Sequence, residues 1–139
     1  MTMDAPVTSF RRILQPDGWP RPKGYSNGIA ATGRLVVTAG LVGWDANGCF
    51  RNGFVEQLRQ TLRNTVDVLA EGGARPEHIV RMTWYVTDRQ QYLGSLPEIG
   101  RAYREIIGKV FPAMAVVQVS GLVEEDALLE IETTAVVPE

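Results

Sequence analysis

Two strand signals close this chain of 139 residues, and they constrain its fold more than any other feature. Branched and small residues run from Ala113 to Val119 and again from Leu128 to Ala135, with a short polar turn between them. Such composition is typical of β-strands. Glu130 stands between Leu129 and Ile131. Its carboxylate is therefore either solvated on an outward face or placed in a functional site.

Two helices are predicted upstream of these strands. Apolar residues recur at helical spacing from Phe54 to Glu71, and Gly72-Gly73 suits the C-terminal cap of that helix. The stretch Ser95 to Glu98 has the pattern of a capping box. It predicts a second helix that ends at Gly108.

The remaining strand signals give the element order. Phe10 to Leu14 reads as a short strand, and the runs beginning at Ile29 and Leu35 read as a hairpin joined by Thr32-Gly33-Arg34. Ile79 to Val86 is a strand between the two helices. The order is β-β-β-α-β-α-β-β. We expect an α+β fold whose mixed sheet carries both helices on one face.

Several of these strands look apolar on both sides. The pattern holds for the run from Ala113, for the residues around Leu35 and for Met82 to Val86. Strands of this kind are covered on both faces of their sheet. Because no third helix is predicted, we expect a second subunit to cover the far face.

Composition narrows the class of protein. The length fits a single domain over residues 1–139, and the net charge of −2 with scattered basic residues argues against nucleic acid as a partner. One cysteine, Cys49, excludes an internal disulfide and, with one histidine, argues against a metal site. No apolar run approaches the length of a signal peptide or membrane span, so we expect a cytoplasmic protein without membrane contact.

Several short blocks occur in the order and spacing of one known family. They are Tyr25-Ser26-Asn27-Gly28, Val37-Thr38-Ala39-Gly40, Gly72-Gly73-Ala74 before Ile79-Val80-Arg81, Tyr85-Val86-Thr87-Asp88, Phe111-Pro112-Ala113 and Glu130-Ile131-Glu132. The set resembles the RidA/YjgF family of reactive intermediate deaminases. This resemblance implies a chorismate-mutase-like fold and a homotrimer whose sheets form a central barrel, with small-molecule sites in the clefts between subunits.

The resemblance also implies a reaction. Active members hydrolyse enamines and imines to a carbonyl compound and ammonia, without a metal or organic cofactor. A glutamate that begins the last block holds the attacking water, which assigns this role to Glu130. A tyrosine of the first block lines the cleft, which assigns that position to Tyr25. An arginine just after Pro-Ala grips the substrate carboxylate, but this chain has Met114 there.

Met114 is the main departure from the family pattern. Methionine has neither charge nor hydrogen-bond donor, and a charged hydrogen bond contributes about 1.5–3 kcal/mol. The substrate should therefore be less acidic and more apolar, or be anchored elsewhere. Met114 would then form an apolar pocket floor, and Lys23 is a candidate replacement cation. Active relatives also have polar residues at the positions of Ala39, Leu41 and Gly100.

Other interpretations stay open. Trp44 would stack on a flat ligand or pack at a subunit interface. Glu132 points the same way as Glu130 on an extended strand and is a solvated or ion-paired residue in the simpler reading. The chain is either a deaminase with altered substrate preference or a non-catalytic ligand-binding or regulatory trimer. An RNA-cleaving or translation-inhibiting role has the least support, because the chain is acidic.

Overall fold

A computed structural model of the protein describes residues 10–139. In chain order, its elements are β1 Arg11–Ile13, β2 Ile29–Ala31, β3 Arg34–Val37, α1 Phe54–Glu71, a 3-10 turn Pro76–His78, β4 Ile79–Val86, α2 Arg89–Leu93, α3 Leu96–Ile106, β5 Ala113–Gln118 and β6 Leu129–Val137. The predicted element order is confirmed, with the short helix α2 as an addition.

A four-stranded mixed sheet in the order β3-β6-β4-β5 organises the fold. Strands β4 and β5 run parallel, with Met82 opposite Met114. Strand β6 runs antiparallel to β4, with Tyr85 opposite Glu130, and antiparallel to β3. Strands β1 and β2 form a separate two-stranded sheet. The architecture is the α+β mixed sheet that the sequence predicted.

Helices α1 and α3 cover one face of this sheet, which we call the helix face; the opposite side is the far face. The periodic leucines Leu58 and Leu62 of α1 are fully buried against side chains of β4 and β6. Each such side chain contributes about 1.5–3 kcal/mol when it leaves water. Successive residues of a strand point to opposite sides. The odd-numbered residues of β6 therefore build this core, and the even-numbered ones lie on the far face.

The predicted hairpin is wrong. Strand β2 pairs with β1, and β3 pairs with β6 instead of with β2. The Thr32 N–H donates to the Phe10 carbonyl at 3.0 Å, so this segment extends the pairing of β2 with β1. Pairing with β6 places Val36 against the core, so tertiary burial outweighs the local turn signal.

The predicted capping box is also wrong. The Ser95 hydroxyl donates to the Gln91 carbonyl at 2.8 Å, so it does not cap α3. The residues before it are already helical. Asp88 caps α2, because its carboxylate accepts from the main-chain N–H groups of Gln90 and Gln91. The local signal at Ser95 gave a correct helix start through a different set of bonds.

The far face is apolar at its flanks only. Leu35 and Val37 on β3 are 65% and 60% exposed, and Val117 on β5 is 42% exposed. The centre is polar, since Arg81 and Tyr85 of β4 lie there. The expectation that β4 is apolar on both sides is therefore wrong. Its apolar residues alternate onto the helix face, and the sequence run concealed that alternation.

Within residues 10–139, no helix is long and apolar enough to cross a membrane.

Candidate functional site

A cavity of about 640 Å³ lies on the helix face, between α3, the parallel edge strand β5 and the loop around Tyr25. We call it the helix-side cavity. Its lining combines apolar and aromatic walls with a few basic side chains. The lining residues are Lys23, Gly24, Tyr25, Trp84, Tyr92, Leu96, Ile99, Gly100, Tyr103, Arg104, Gly108, Lys109, Phe111, Met114 and Val116.

Hydrogen bonds fix the Tyr25 loop against the start of β5. The Ser26 N–H donates to the Pro112 carbonyl at 2.9 Å, and the Ser26 hydroxyl donates to the Phe111 carbonyl at 2.5 Å. Ser26 itself is buried. Tyr25, which is 41% exposed, is thereby held at the cavity wall near Met114. Ser26 therefore has a structural role within Tyr25-Ser26-Asn27-Gly28, one of the blocks that resemble the family.

A tyrosine fixes the other wall. The Tyr103 hydroxyl donates to the Val110 carbonyl at 2.6 Å, which ties α3 to the segment before β5. Burial raises the pKa of Tyr103 well above its ordinary value. The hydroxyl therefore stays a neutral donor and makes no anionic contribution to the cavity.

Three of the predicted site residues come together in this cavity, namely Tyr25, Met114 and Lys23. Met114 lies on the helix face because it pairs with the buried Met82. Gly100 also lines the cavity, and a Cβ added there would meet no atom within 4 Å. The two positions where the family resemblance implies an arginine and a polar residue are therefore both open to the same space.

Sequence reasoning missed two further cations at this cavity, Arg104 and Lys109. Arg104 follows Gly100 by one helical turn, so the spacing along α3 was a usable signal. Both side chains and Lys23 are exposed. None of the three forms an ion pair with another described residue, and within the described chain no Asp or Glu lines the cavity. The cavity is basic at its rim and apolar within.

Trp84 packs in the core and is only 2% exposed. It also lines the cavity and lies 6.3 Å from Tyr103 between ring centroids. Its indole N–H is buried and finds no acceptor among residues 10–139. An unpaired buried donor costs about 1–3 kcal/mol.

Glu130 and Glu132 occupy the far face, on the other side of the sheet from Met114. The Tyr85 hydroxyl donates to Glu132 Oε1 at 2.6 Å. This hydrogen bond, together with desolvation, raises the pKa of Tyr85. Glu130 has no hydrogen-bond or ion-pair partner in the described part of the chain. Of the two acids, Glu132 is engaged and Glu130 is available.

An interruption between β3 and β6 accommodates the Glu130 side chain. After Val37, three residues on one side oppose two on the other, and pairing resumes where Leu41 faces Ile131. The Thr38 hydroxyl replaces part of the ladder by accepting from the Thr133 N–H at 3.1 Å. A Cβ built at Gly40 would overlap Glu130 Oε2, so the carboxylate lies against a bare stretch of main chain. We call Glu130, Gly40 and Tyr85 the far-face acid site.

Trp44 does not line the helix-side cavity. It packs against Phe50 at 5.9 Å between ring centroids, and its carbonyl accepts from the Asn64 side chain at 2.8 Å. The lone histidine, His78, is buried and accepts the Arg75 N–H at 2.9 Å through Nδ1, which is a structural role. Residues 10–139 hold no group of three or more His, Cys, Asp or Glu arranged for a metal ion.

A single chain therefore presents two separate regions, one for apolar binding and one with an available carboxylate. Comparison with known proteins shows which family the chain belongs to. The Endoribonuclease L-PSP family model matches residues 20–137. The chain belongs to this family, the RidA/YjgF family, as its sequence blocks predicted.

Particular relatives agree along nearly their whole length. A RutC family protein of Aquifex aeolicus is 34% identical over 128 residues, covering 91% of this chain and 99% of the relative. The human 2-iminobutanoate/2-iminopropanoate deaminase is 23% identical over 129 residues, covering 91% and 90%. The crystal structure of YyfB from Yersinia pestis, a Rid family protein of unknown function, has a TM-score of 0.81 at 30% identity, covering 93% of this chain and 100% of YyfB.

Proposed function

We propose that this protein is a hydrolytic deaminase of small reactive enamine or imine compounds with an altered substrate preference. It acts in the cytoplasm, as a homotrimer, at clefts between its copies. The observation that carries the proposal is the Glu130 carboxylate, which lies against Gly40 without a partner in the described chain. A carboxylate so placed can hold a water molecule through its unused acceptor sites.

The reaction needs one bound water and one proton carrier. Glu130 accepts a proton from the water as the oxygen attacks the carbon of the C=N bond, and the π electrons move to nitrogen. The nitrogen takes up a proton, giving a carbinolamine. Collapse of that intermediate transfers the hydroxyl proton to nitrogen, breaks the C–N bond, releases ammonia and leaves a carbonyl compound. An enamine first gains a proton at carbon to become the imine. No cofactor enters this sequence.

The proposal requires more than one copy of the chain. Met114 and Tyr25 lie at a cavity on the helix face, whereas Glu130 lies on the far face of the same sheet. The exposed Leu35, Val37 and Val117 give the far face apolar flanks that a neighbouring sheet would cover. A cleft between copies would place the cavity of one chain next to the acid of the next chain.

Met114 favours a second candidate function, a non-catalytic ligand-binding or regulatory trimer. Without the arginine, a 2-imino acid loses its anchor beside the reacting carbon. The substrate is then less acidic or is held by another group. The family model's description as an endoribonuclease suggests a third role, which the net charge of −2 does not favour.

Replacing Glu130 separates these functions. We expect Glu130→Gln to lower ammonia release from imines generated in situ by about a hundredfold or more, the usual contribution of a general base. Glu132→Gln is the matched control, because that acid is engaged by Tyr85, and it should retain most of the activity. Full activity in Glu130→Gln would remove this residue from the mechanism. Absence of ammonia release by the unaltered protein would favour the ligand-binding trimer.

A further inference from the structure

Within the described chain, no acidic residue pairs with the cations at the rim of the helix-side cavity, which are Lys23, Arg104 and Lys109. Lys23 comes from the loop before Tyr25, Arg104 from the last turn of α3, and Lys109 from the segment after that helix. Cations near a helix C-terminus stabilise the helix dipole, which accounts for Arg104 and Lys109 in part. It does not account for Lys23, which another segment of the chain brings to the same cavity.

The size and the polarity of the cavity indicate what kind of molecule would fill it. At about 640 Å³ it falls in the range that holds drug-sized molecules, and it exceeds what an acid of a few carbons fills. Its interior is apolar and aromatic, and the residue at the family's arginine position is Met114. Methionine adapts to irregular apolar shapes. An anionic group would therefore find no partner at the floor, while cations stand at the rim.

We infer that the helix-side cavity binds amphipathic carboxylates, with a large apolar or aromatic body inside and the acid group held at the rim by Lys23, Arg104 and Lys109. This inference rests on the proposed function, for which it names the substrate class. It decides between the two options left open by Met114: the substrate keeps its acid but holds it far from the reacting carbon.

Calorimetric binding to the whole protein tests the inference with 4-phenylbutanoate, its neutral amide and butanoate. We expect the phenyl acid to bind about tenfold more tightly than the amide, as a sum of small contributions from exposed ion pairs. Butanoate should bind too weakly to measure, since it leaves most of the cavity empty. The preference for the acid should shrink with added salt.

Variants locate the site. Lys23→Gln, Arg104→Gln and Lys109→Gln should each weaken binding of the acid about twofold, within the range of exposed ion pairs, and the triple variant should erase its preference over the amide. Arg101→Gln is the matched control, because Arg101 lies exposed on the same helix and does not line the cavity. Gly100→Phe should abolish binding of both ligands by filling the cavity, and phenylalanine suits a helix better than glycine.

Ligand binding and ammonia release, measured separately, distinguish failure of this inference from failure of the proposed function. The phenyl acid should still bind to Glu130→Gln and keep its preference over the amide, since the cavity lining and the three cations are intact in that variant. Equal binding of acid and amide, a preference that survives in the triple variant, or no binding of either ligand would overturn the inference. Normal binding combined with no ammonia release from any imine would leave the inference standing and overturn only the chemistry.

Discussion

The helix-side cavity and the far-face acid site are built from opposite sides of the same sheet. They differ in whether a single copy of the chain completes them. The walls of the cavity are fixed within one chain, because Ser26 and Tyr103 both donate to main-chain carbonyls. The acid site leaves Glu130 without a partner in the described chain. A binding surface can be completed by one copy, whereas the chemistry we propose is completed only when a second copy arrives.

Strand β6 shows how one segment serves both purposes. Leu129 and Ile131 are fully buried under the helices, while Glu130 and Glu132 face the other way. The period of two keeps these duties separate, so core packing does not restrict the acids. Of the departures from the family pattern, Met114 and Gly100 belong to the cavity, whereas Ala39 and Leu41 flank Gly40 at the acid site. We therefore expect this chain to differ from active relatives in what it binds, while Glu130 keeps its place beside the main chain of Gly40.

The largest expected effect tests whether one site is shared by two copies. Gly100→Phe should block the cavity and Glu130→Gln should disable the acid, so each trimer alone should lose at least about a hundredfold in activity. Trimers refolded from an equal mixture should regain about a quarter of the activity, because half of the clefts get an intact cavity and half of those an intact acid. The measurement is ammonia release per trimer.

A mixture no more active than its parents would show that both residues act within one chain or that no shared cleft exists. Refolded samples of each single variant provide the control. The test does not depend on knowing the natural substrate, since any imine that the unaltered protein hydrolyses is sufficient.

The next effect concerns association through the far face. Leu35→Asp places a charge on a surface that we expect to be covered, and it removes about 1.5–3 kcal/mol of apolar burial in each copy besides the cost of the charge. Sedimentation should show a trimer for the unaltered protein and smaller species for the variant. Val68→Asp is the control, because Val68 is 40% exposed on α1, away from this face, and should stay trimeric. A monomeric unaltered protein would contradict the proposed assembly.

Substitutions at two glycines distinguish an effect on activity from an effect on folding stability. The three atoms nearest to a Cβ at Gly40 all belong to the flexible Glu130 side chain, so Gly40→Ala should displace the carboxylate, lower activity at least tenfold and change the melting temperature little. A Cβ at Gly43 would lie 2.6 Å from the Gln57 carbonyl oxygen. Gly43→Ala should therefore cost about 1–3 kcal/mol of folding free energy by overpacking. Thermal unfolding and ammonia release, measured on both variants, check the pair.

The smallest effect is a titration. The Glu132 carboxylate raises the pKa of Tyr85, because ionising the hydroxyl would break their hydrogen bond and place two negative charges together. The folded-state pKa lies above the unfolded value of about 10, so the bond stabilises fully below that pH and is lost as the pH rises through the folded value. Tyrosinate absorbance, compared with Tyr85→Phe, should show this pKa falling in Glu132→Gln. An unchanged pKa in that variant would contradict the assignment.

Long periodic segments were predictable from the sequence, and short local signals were not. The bounds of α1 and β4 agree with their predictions because each is a long pattern closed by turn residues. The hairpin at Gly33 and the capping box at Ser95 failed since partners distant in sequence, or helical residues just upstream, took the same hydrogen-bonding groups. The spacing of Arg104 from Gly100 along α3 was a usable signal, whereas Lys109 joins Met114 at the cavity only through the tertiary structure.

The sequence by itself determined that Glu130 faces away from its buried neighbours and that position 114 has no cation, since both follow from residue type and a period of two. It did not determine that the two lie on opposite sides of the sheet. That depends on the pairing of β4 with two partners, where Met82 faces Met114 and Tyr85 faces Glu130. Met82 and Tyr85 are an odd number of residues apart and so point to opposite faces. Register between distant strands is set by burial of the whole core, and only the tertiary structure could decide it.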